Sequence, residues 1–400
     1  MTESRAGVTP GETPEFSLVE GGLFYRLTRW LYPTAGVPGH LGRGVTGIAL
    51  FAWLPLLVLA TLDGNALGEG IRVPFLLDAQ VHVRLLVVLP LLLFAEFEVH
   101  RRISPLLRQF TDRRLVPEHS KEQFETTVVS AMKLRNNVFA EVLLVCAVYG
   151  VGIFVIWRNY LALDTATWYA TPSGERLSLT FAGMWYAFVS VPIVQFLLLR
   201  WYYRLFVWAR LLWQVSRIDL QLVAAHPDRS GGLGFLASTG YAFSILAGAH
   251  GALAAGYFAS MIFFAEASLT DFVAGICLTI MFVLFLILAP LLVFAPRLAD
   301  VKQTELLKYE ALADRYVREF DAKWLRGATP ANETLLGNAD VQSLADLASS
   351  YAVVQSMRFS PVTNRAIIRV AATTLVPIAP LLLTTISFSE LIKGVFGLVF

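Results

Sequence analysis

Charge is scarce in this chain: 16% of its 400 residues are Asp, Glu, Lys or Arg, while 56% are hydrophobic. A water-soluble fold has no interior large enough to hide that much apolar surface, so the soluble class is excluded. Cysteine is almost missing. Cys146 and Cys277 each sit in the middle of an apolar stretch, where a lone thiol is expected to pack as a small buried hydrophobe. Neither a disulfide framework nor a structural zinc site follows. The net charge of +2 gives no reason to expect nucleic acid as a partner.

Catalytic signatures are missing as well. There is no G-x-S-x-G elbow, no H-E-x-x-H helix, no dinucleotide glycine fingerprint, no P-loop and no C-x-x-C pair. No enzymatic activity, cofactor or bound metal is therefore expected. The first forty-odd residues also lack a basic start followed by an apolar run of about 7 to 15 residues, the mark of a cleavable signal peptide. The N-terminus is accordingly expected to stay in the cytoplasm.

What the chain has in abundance is apolar segments of bilayer length. Stretches of about 18 to 25 residues cross a hydrocarbon core of about 30 Å as helix. Seven are read, at about 45 to 62, 81 to 99, 138 to 157, 179 to 199, 239 to 264, 272 to 295 and 367 to 386. The lipid bilayer is the expected solvent, and the expected fold is all-α: a polytopic transmembrane helix bundle of about seven spans. Residues 1 to 15 are polar and Pro/Gly-containing and read as a disordered tail. Phe16 to Tyr32 mixes aromatics with Arg26 and Arg29 and fits a short interfacial helix. The segment 1–44 is thus tail and interfacial helix, ahead of a six-span bundle at 45–295. The fourth span continues as RWYYRLFVWARLLW, with the aromatic belt and snorkelling arginines expected where a helix leaves lipid.

The basic residues set the orientation. Segments 1–44, 100–137, 200–233 and 296–369 hold 27 of the 32 Lys and Arg residues. Such connectors remain on the cytoplasmic side, which predicts a multi-pass protein of the cell inner (cytoplasmic) membrane with its C-terminus outside.

One sizeable cytoplasmic region, 296–366, separates the sixth span from the seventh span and C-terminal tail at 367–400. Leu298, Val301, Tyr309, Leu312, Tyr316, Phe320 and Trp324 fall at helical spacing, and after a breaker-rich link Val341, Leu344, Leu347, Tyr351 and Val354 repeat the pattern. Two amphipathic helices with a short connection close into an antiparallel hairpin. Its stripes would bury against each other or against a neighbouring subunit, which makes it the contact surface for a homo-oligomer or a cytoplasmic protein partner.

Few polar residues lie within the spans. His250 stands mid-span in GAHGALAAGYFAS, where small residues let helices approach closely. It reads either as a neutral histidine bonded across a tight helix pair or as a gate, proton-transfer or substrate contact. No second ligand at helical spacing supports a metal. Gln195 follows Pro192 by one turn and could satisfy the carbonyl that the proline frees. Glu96, Glu98 and Glu141 lie near one membrane surface. They form either an acidic mouth for a cation path or a collar ion-paired with Arg101, Arg102 and Arg135. Among the span prolines, Pro377 and Pro380 are the pair expected to break a helix.

The connector HPDRSGGLGF, from His226 to Phe235, is the most unusual local feature. Asp228 can cap, Gly231 and Gly232 permit left-handed backbone, and a sharp re-entry turn explains the composition. The other reading is a backbone nest in which His226, Asp228, Arg229, Gly231 and Gly232 hold an anion or a lipid headgroup. The HPD tripeptide also marks J-domains, but a J-domain needs it inside a small soluble module. HPDRSGGLGFL, YEALADRYVREFDAKWL and LLGNADVQSLADL together resemble a group of uncharacterised bacterial multi-pass inner-membrane proteins. The resemblance covers roughly the C-terminal 180 residues, implies that membrane location and transfers no site residue. Two functions remain open: a channel or transporter for an ion or small solute, or a non-catalytic scaffold or sensor acting through the hairpin.

Overall fold

Backbone surrounded by lipid has no water to bond with, so apolar segments must satisfy their own N–H and C=O groups. They do so here as helix. The computed structural model describes residues 16–22, 38–67, 71–152, 167–173, 176–327, 333–335 and 337–384. Along the chain run α1 (Pro38–Leu62), α2 (Ala79–Asp112), α3 (Lys121–Arg135), α4 (Val138–Gly150), α5 (Phe181–Val215), α6 (Leu233–Phe264), α7 (Leu269–Leu325), α8 (Ala339–Gln355) and α9 (Asn364–Leu375). Five of them, α1, α2, α5, α6 and α7, are long and apolar enough to cross a membrane.

The expected third span is α4, and its last residues, 153–157, lie outside the described residues. The seventh is broken. α9 ends at Leu375, Val376–Ile378 is a turn, and a 3₁₀ turn (Ala379–Thr384) follows, because Pro377 and Pro380 supply no N–H and clash with the preceding turn. The tails expected at 1–15 and beyond 384 fall outside the described residues.

The outside of the bundle is greasy. On α7, Leu278, Met281 and Phe285 are 70%, 68% and 72% exposed. Cys146 and Cys277, expected to be buried, are both free and on this outer surface. In a bilayer an apolar side chain needs no protein cover, so mid-span position does not imply burial.

Other prolines are absorbed by local changes of helix type. π-helical stretches, Val83–Val88 and Tyr186–Ser190, precede Pro90 and Pro192, and a 3₁₀ stretch (Ala289–Phe294) contains Pro290. The carbonyl four residues before Pro192 belongs to Phe188 and loses its helical donor. It accepts from the Tyr149 hydroxyl of α4 at 3.2 Å. A hydroxyl from a neighbouring helix therefore reaches this carbonyl; the Gln195 amide, expected to donate to it, makes no such bond among the described residues, and its Oε1 is buried without a donor.

The small residues of α6 are packing surface. A Cβ at Gly251 would collide with the Thr374 carbonyl of α9, one at Gly240 would press on Ala366, and one at Gly256 on Val83 of α2. α6 is thus in close contact with α9 and with the start of α2.

α7 leaves the bundle and α8 returns beside it, giving the expected hairpin. Asp340 near the start of α8 ties the far end: its carbonyl accepts from Tyr316 at 3.1 Å, and its carboxylate pairs with Lys323 at 2.9 Å and accepts from the Trp324 indole at 3.0 Å. Leu298 and Val354 are buried at the root, but Leu312 and Val341 are exposed, contrary to the stripe read from spacing. Two helices alone can cover only one face of each other.

Two local features differ from the sequence reading. Ahead of α5, where the all-α expectation gave no strand, the chain forms an antiparallel β1 (Ala170–Ser173) and β2 (Arg176–Leu179), with Ala170 opposite Leu179. Residues 16–22, expected to begin an interfacial helix, are non-helical. The Ser17 hydroxyl takes the backbone N–H groups of Val19 and Glu20 at 3.2 and 3.0 Å, and such local bonds compete with helix formation.

Candidate functional site

Five consecutive residues of α5, Arg200 to Arg204, connect it to the helices around it. Arg200 and Arg204 both reach Glu96 Oε1 of α2, at 2.6 and 2.8 Å, and Arg200 also faces Glu141 of α4 at 3.8 Å. Trp201 donates to the Leu92 carbonyl of α2 at 2.9 Å, Tyr202 meets His250 of α6 at 2.9 Å, and Tyr203 donates to the Leu134 carbonyl of α3 at 2.6 Å. These arginines were expected to snorkel towards water. They are buried, at 3% and 2% exposure, because a carboxylate on the adjacent helix compensates them where lipid would not.

The segment 16–22 closes this cluster. The Ser17 carbonyl accepts from Arg135, the Val19 carbonyl accepts from Arg204 at 3.1 Å, and the Phe16 carbonyl accepts from the Ser104 hydroxyl at 2.6 Å. Phe16, Leu18 and Val19 are buried against the helices. Of the three acidic residues read as one mouth, Glu96 and Glu141 come together on Arg200. Glu98 turns away and pairs with Arg101 at 2.6 Å and with Arg102 on its own helix.

His250 is buried with both ring nitrogens engaged. Nδ1 lies 2.8 Å from the Leu246 carbonyl and Nε2 lies 2.9 Å from the Tyr202 hydroxyl. A carbonyl can only accept, so Nδ1 carries a proton, and in the neutral imidazole Nε2 then accepts from the phenol. Both ring nitrogens are satisfied. Gln195 is one helical stretch away on α5 and is not bonded to it. Pro377 and Pro380 flank Ile378, which with Leu381 packs into an apolar cluster with Phe258, Ala259 and Leu269.

The His226–Gly234 loop is built around Asp228. Its Oδ1 accepts from the N–H groups of Ser230 and Gly232 at 2.8 and 3.2 Å, and its Oδ2 from Gly234 at 2.7 Å. His226 Nδ1 lies 2.9 Å from Oδ1. Burial raises the Asp228 pKa, but those three N–H groups and the His226 imidazole outweigh it and hold the carboxyl below its ordinary value. The nest read from the glycines is filled from within by this carboxylate. Arg229 is part of it through its backbone alone: it adopts φ 55, and its carbonyl accepts from the Arg358 N–H at 2.7 Å.

A cluster at the opposite end of the bundle escaped sequence reading. Asp78 caps α2 through the Val81 N–H at 3.2 Å and accepts from the Trp168 indole at 3.0 Å. The Trp53 indole donates to His82 Nδ1 at 2.9 Å, leaving Nε2–H to donate to the Leu76 carbonyl at 3.2 Å. Phe75 and Trp168 pack edge to face at 5.0 Å. The Asp before an apolar helix is a readable cap signal, but contacts spanning 90 residues are not local. No group of three His, Cys, Asp or Glu side chains that could hold a metal occurs among the described residues. No family model, curated protein or solved structure matches the chain.

Proposed function

We propose that this membrane protein is a non-catalytic scaffold or sensor of a bacterial inner membrane. It presents the α7–α8 hairpin to the cytoplasm as a contact surface for a protein partner or a second copy. The supporting observation is the contrast between interior and hairpin. Inside, His250 has both nitrogens bonded, Glu96 is doubly paired, and the last-span break rests in apolar packing. On the hairpin, Leu307, Val317, Leu325 and Val341 stand exposed outside the apolar helices. The concentration of Lys and Arg in the connectors on the hairpin side favours a cytoplasmic position for it. The test is a photocrosslinking amino acid placed at Leu307 or Leu325 in growing cells. Discrete adducts at these positions and none from Lys121 support the reading; adducts indistinguishable from those of Lys121 refute it.

A second reading, a channel or transporter for an ion or small solute, draws on Gln195. Its buried Oε1 has no hydrogen-bond donor among the described residues, and it follows the π-helical stretch before Pro192. Flux in proteoliposomes, compared with His250→Ala, decides between them. Tight vesicles at every pH count against a channel.

A further inference from the structure

The root of the hairpin packs against the bundle. Leu298, Val354 and Met357 are buried there, and two of them close on one glycine: a Cβ at Gly231 would lie 3.2 Å from Leu298 Cδ2 and 3.3 Å from Met357 Cε. The loop they close on is rigidly specified. Arg229, Gly231 and Gly232 all have positive φ, at 55, 65 and 96. A non-glycine residue in that region persists only where its surroundings enforce it, and the Asp228 carboxylate does so by gathering three loop N–H groups.

The opposite rim of the loop faces the end of α8. Its carbonyls at Asp228 and Arg229 accept from the Arg358 guanidinium at 2.9 Å and the Arg358 backbone N–H at 2.7 Å. The other leg is tied alongside, through Arg297 to Asp219 at 2.5 Å and Lys302 to the Met357 carbonyl at 2.8 Å. At Leu233 the loop runs directly into the opening 3₁₀ stretch of α6, the helix of His250.

Continuity of α7 does not by itself fix the hairpin's direction. A 3₁₀ stretch, Ala289–Phe294, interrupts it just before Arg297, with Pro290 inside and Pro296 following. Such interruptions are points of weak bending stiffness. From Arg297 to Leu325 the helix is about 43 Å long at about 1.5 Å per residue, so a bend of about 10° at its root moves the tip by about 7 Å.

We propose that Ala289–Phe294 is a hinge and the His226–Gly234 loop is its latch, setting the hairpin's direction and passing displacements of α6 to the hairpin tip. Asp228 and Arg358 are positioning residues in this device. The proposal rests on the hairpin being the presented surface and specifies how the bundle regulates it.

The experiment is a distance distribution by pulsed electron resonance on full-length protein in nanodiscs. Spin labels are placed at Lys133→Cys on α3 and Leu325→Cys at the tip, with Cys146 and Cys277 replaced by Ser. One narrow distance is expected in this parent. Asp228→Asn and Arg358→Ala are expected to lose it to a broad distribution, while a bundle-internal pair, Lys133→Cys with Leu278→Cys, stays unchanged. Arg358→Lys, which keeps the charge and reaches fewer acceptors, is expected to fall between, and it carries the test if Asp228→Asn does not fold. A narrow hairpin distance in Arg358→Ala overturns the latch. The distance is read with no partner present, so a failed latch and a failed contact surface give separate results.

Discussion

Tyr202 of α5 and His250 of α6 meet at 2.9 Å through the phenol oxygen and Nε2. The Nδ1 proton is committed to Leu246, so the Tyr202 hydroxyl is the partner that satisfies the second ring nitrogen. Interhelical hydrogen bonds in membrane proteins contribute about 0.6 kcal/mol on average and at most about 1.7. Tyr202→Phe is therefore expected to lower stability by about that amount without opening a leak. Unfolding in mixed micelles measures the first and proteoliposome flux the second; a new conductance in Tyr202→Phe would show that the pair gates a path.

Glu96 and Glu98 lie two residues apart, about half a turn and therefore on opposite sides of α2, and should differ greatly in effect. Glu96→Gln leaves Arg200 and Arg204 buried with their main counter-charge gone, and breaking a buried pair from one side costs about 3–5 kcal/mol. Glu98→Gln removes pairs with two partly exposed arginines, each such pair worth about 0–1 kcal/mol. Comparing the two unfolding curves checks the assignment. Equal losses would contradict it.

Gly251 and Gly248 give a similar contrast on α6. A Cβ at Gly251 runs into the Thr374 carbonyl, whereas one at Gly248 meets Thr373 Cγ2 at an ordinary 3.4 Å. Gly251→Ala is expected to cost about 1–3 kcal/mol as overpacking, and Gly248→Ala to stay within about 0.5 kcal/mol. Thermal denaturation of the two purified variants reads this directly.

These contrasts mark where sequence reading stops. Apolar runs, the proline break and the hairpin were legible because each is a local pattern of period or composition. The partners were not. Glu96 finds Arg200 from 104 residues away, and arginines written beside tryptophans look the same whether they snorkel or pair. The loop's glycines announced a nest, but the occupant, Asp228, could be identified only from the fold. Burial of Cys146 and Cys277 was misread because in lipid the middle of a span can be an outer surface.

Acid should loosen the hairpin. The folded Asp228 pKa is depressed, so its contribution is complete above the unfolded carboxylate value of about 3.9 and disappears as pH falls from there through the folded value. Hydrogen exchange of residues 228–234 and 354–358 is expected to rise below about pH 4. Exchange that is independent of pH after correction for the chemical rate would contradict this.

Whether the hairpin faces the cytoplasm is tested most directly by a membrane-impermeant maleimide on cells carrying a single cysteine at Lys308, an exposed site on α7. Protection in intact cells, with labelling only after permeabilisation, is the expected result. Labelling of intact cells at this position would contradict the orientation and, with it, the proposed contact surface.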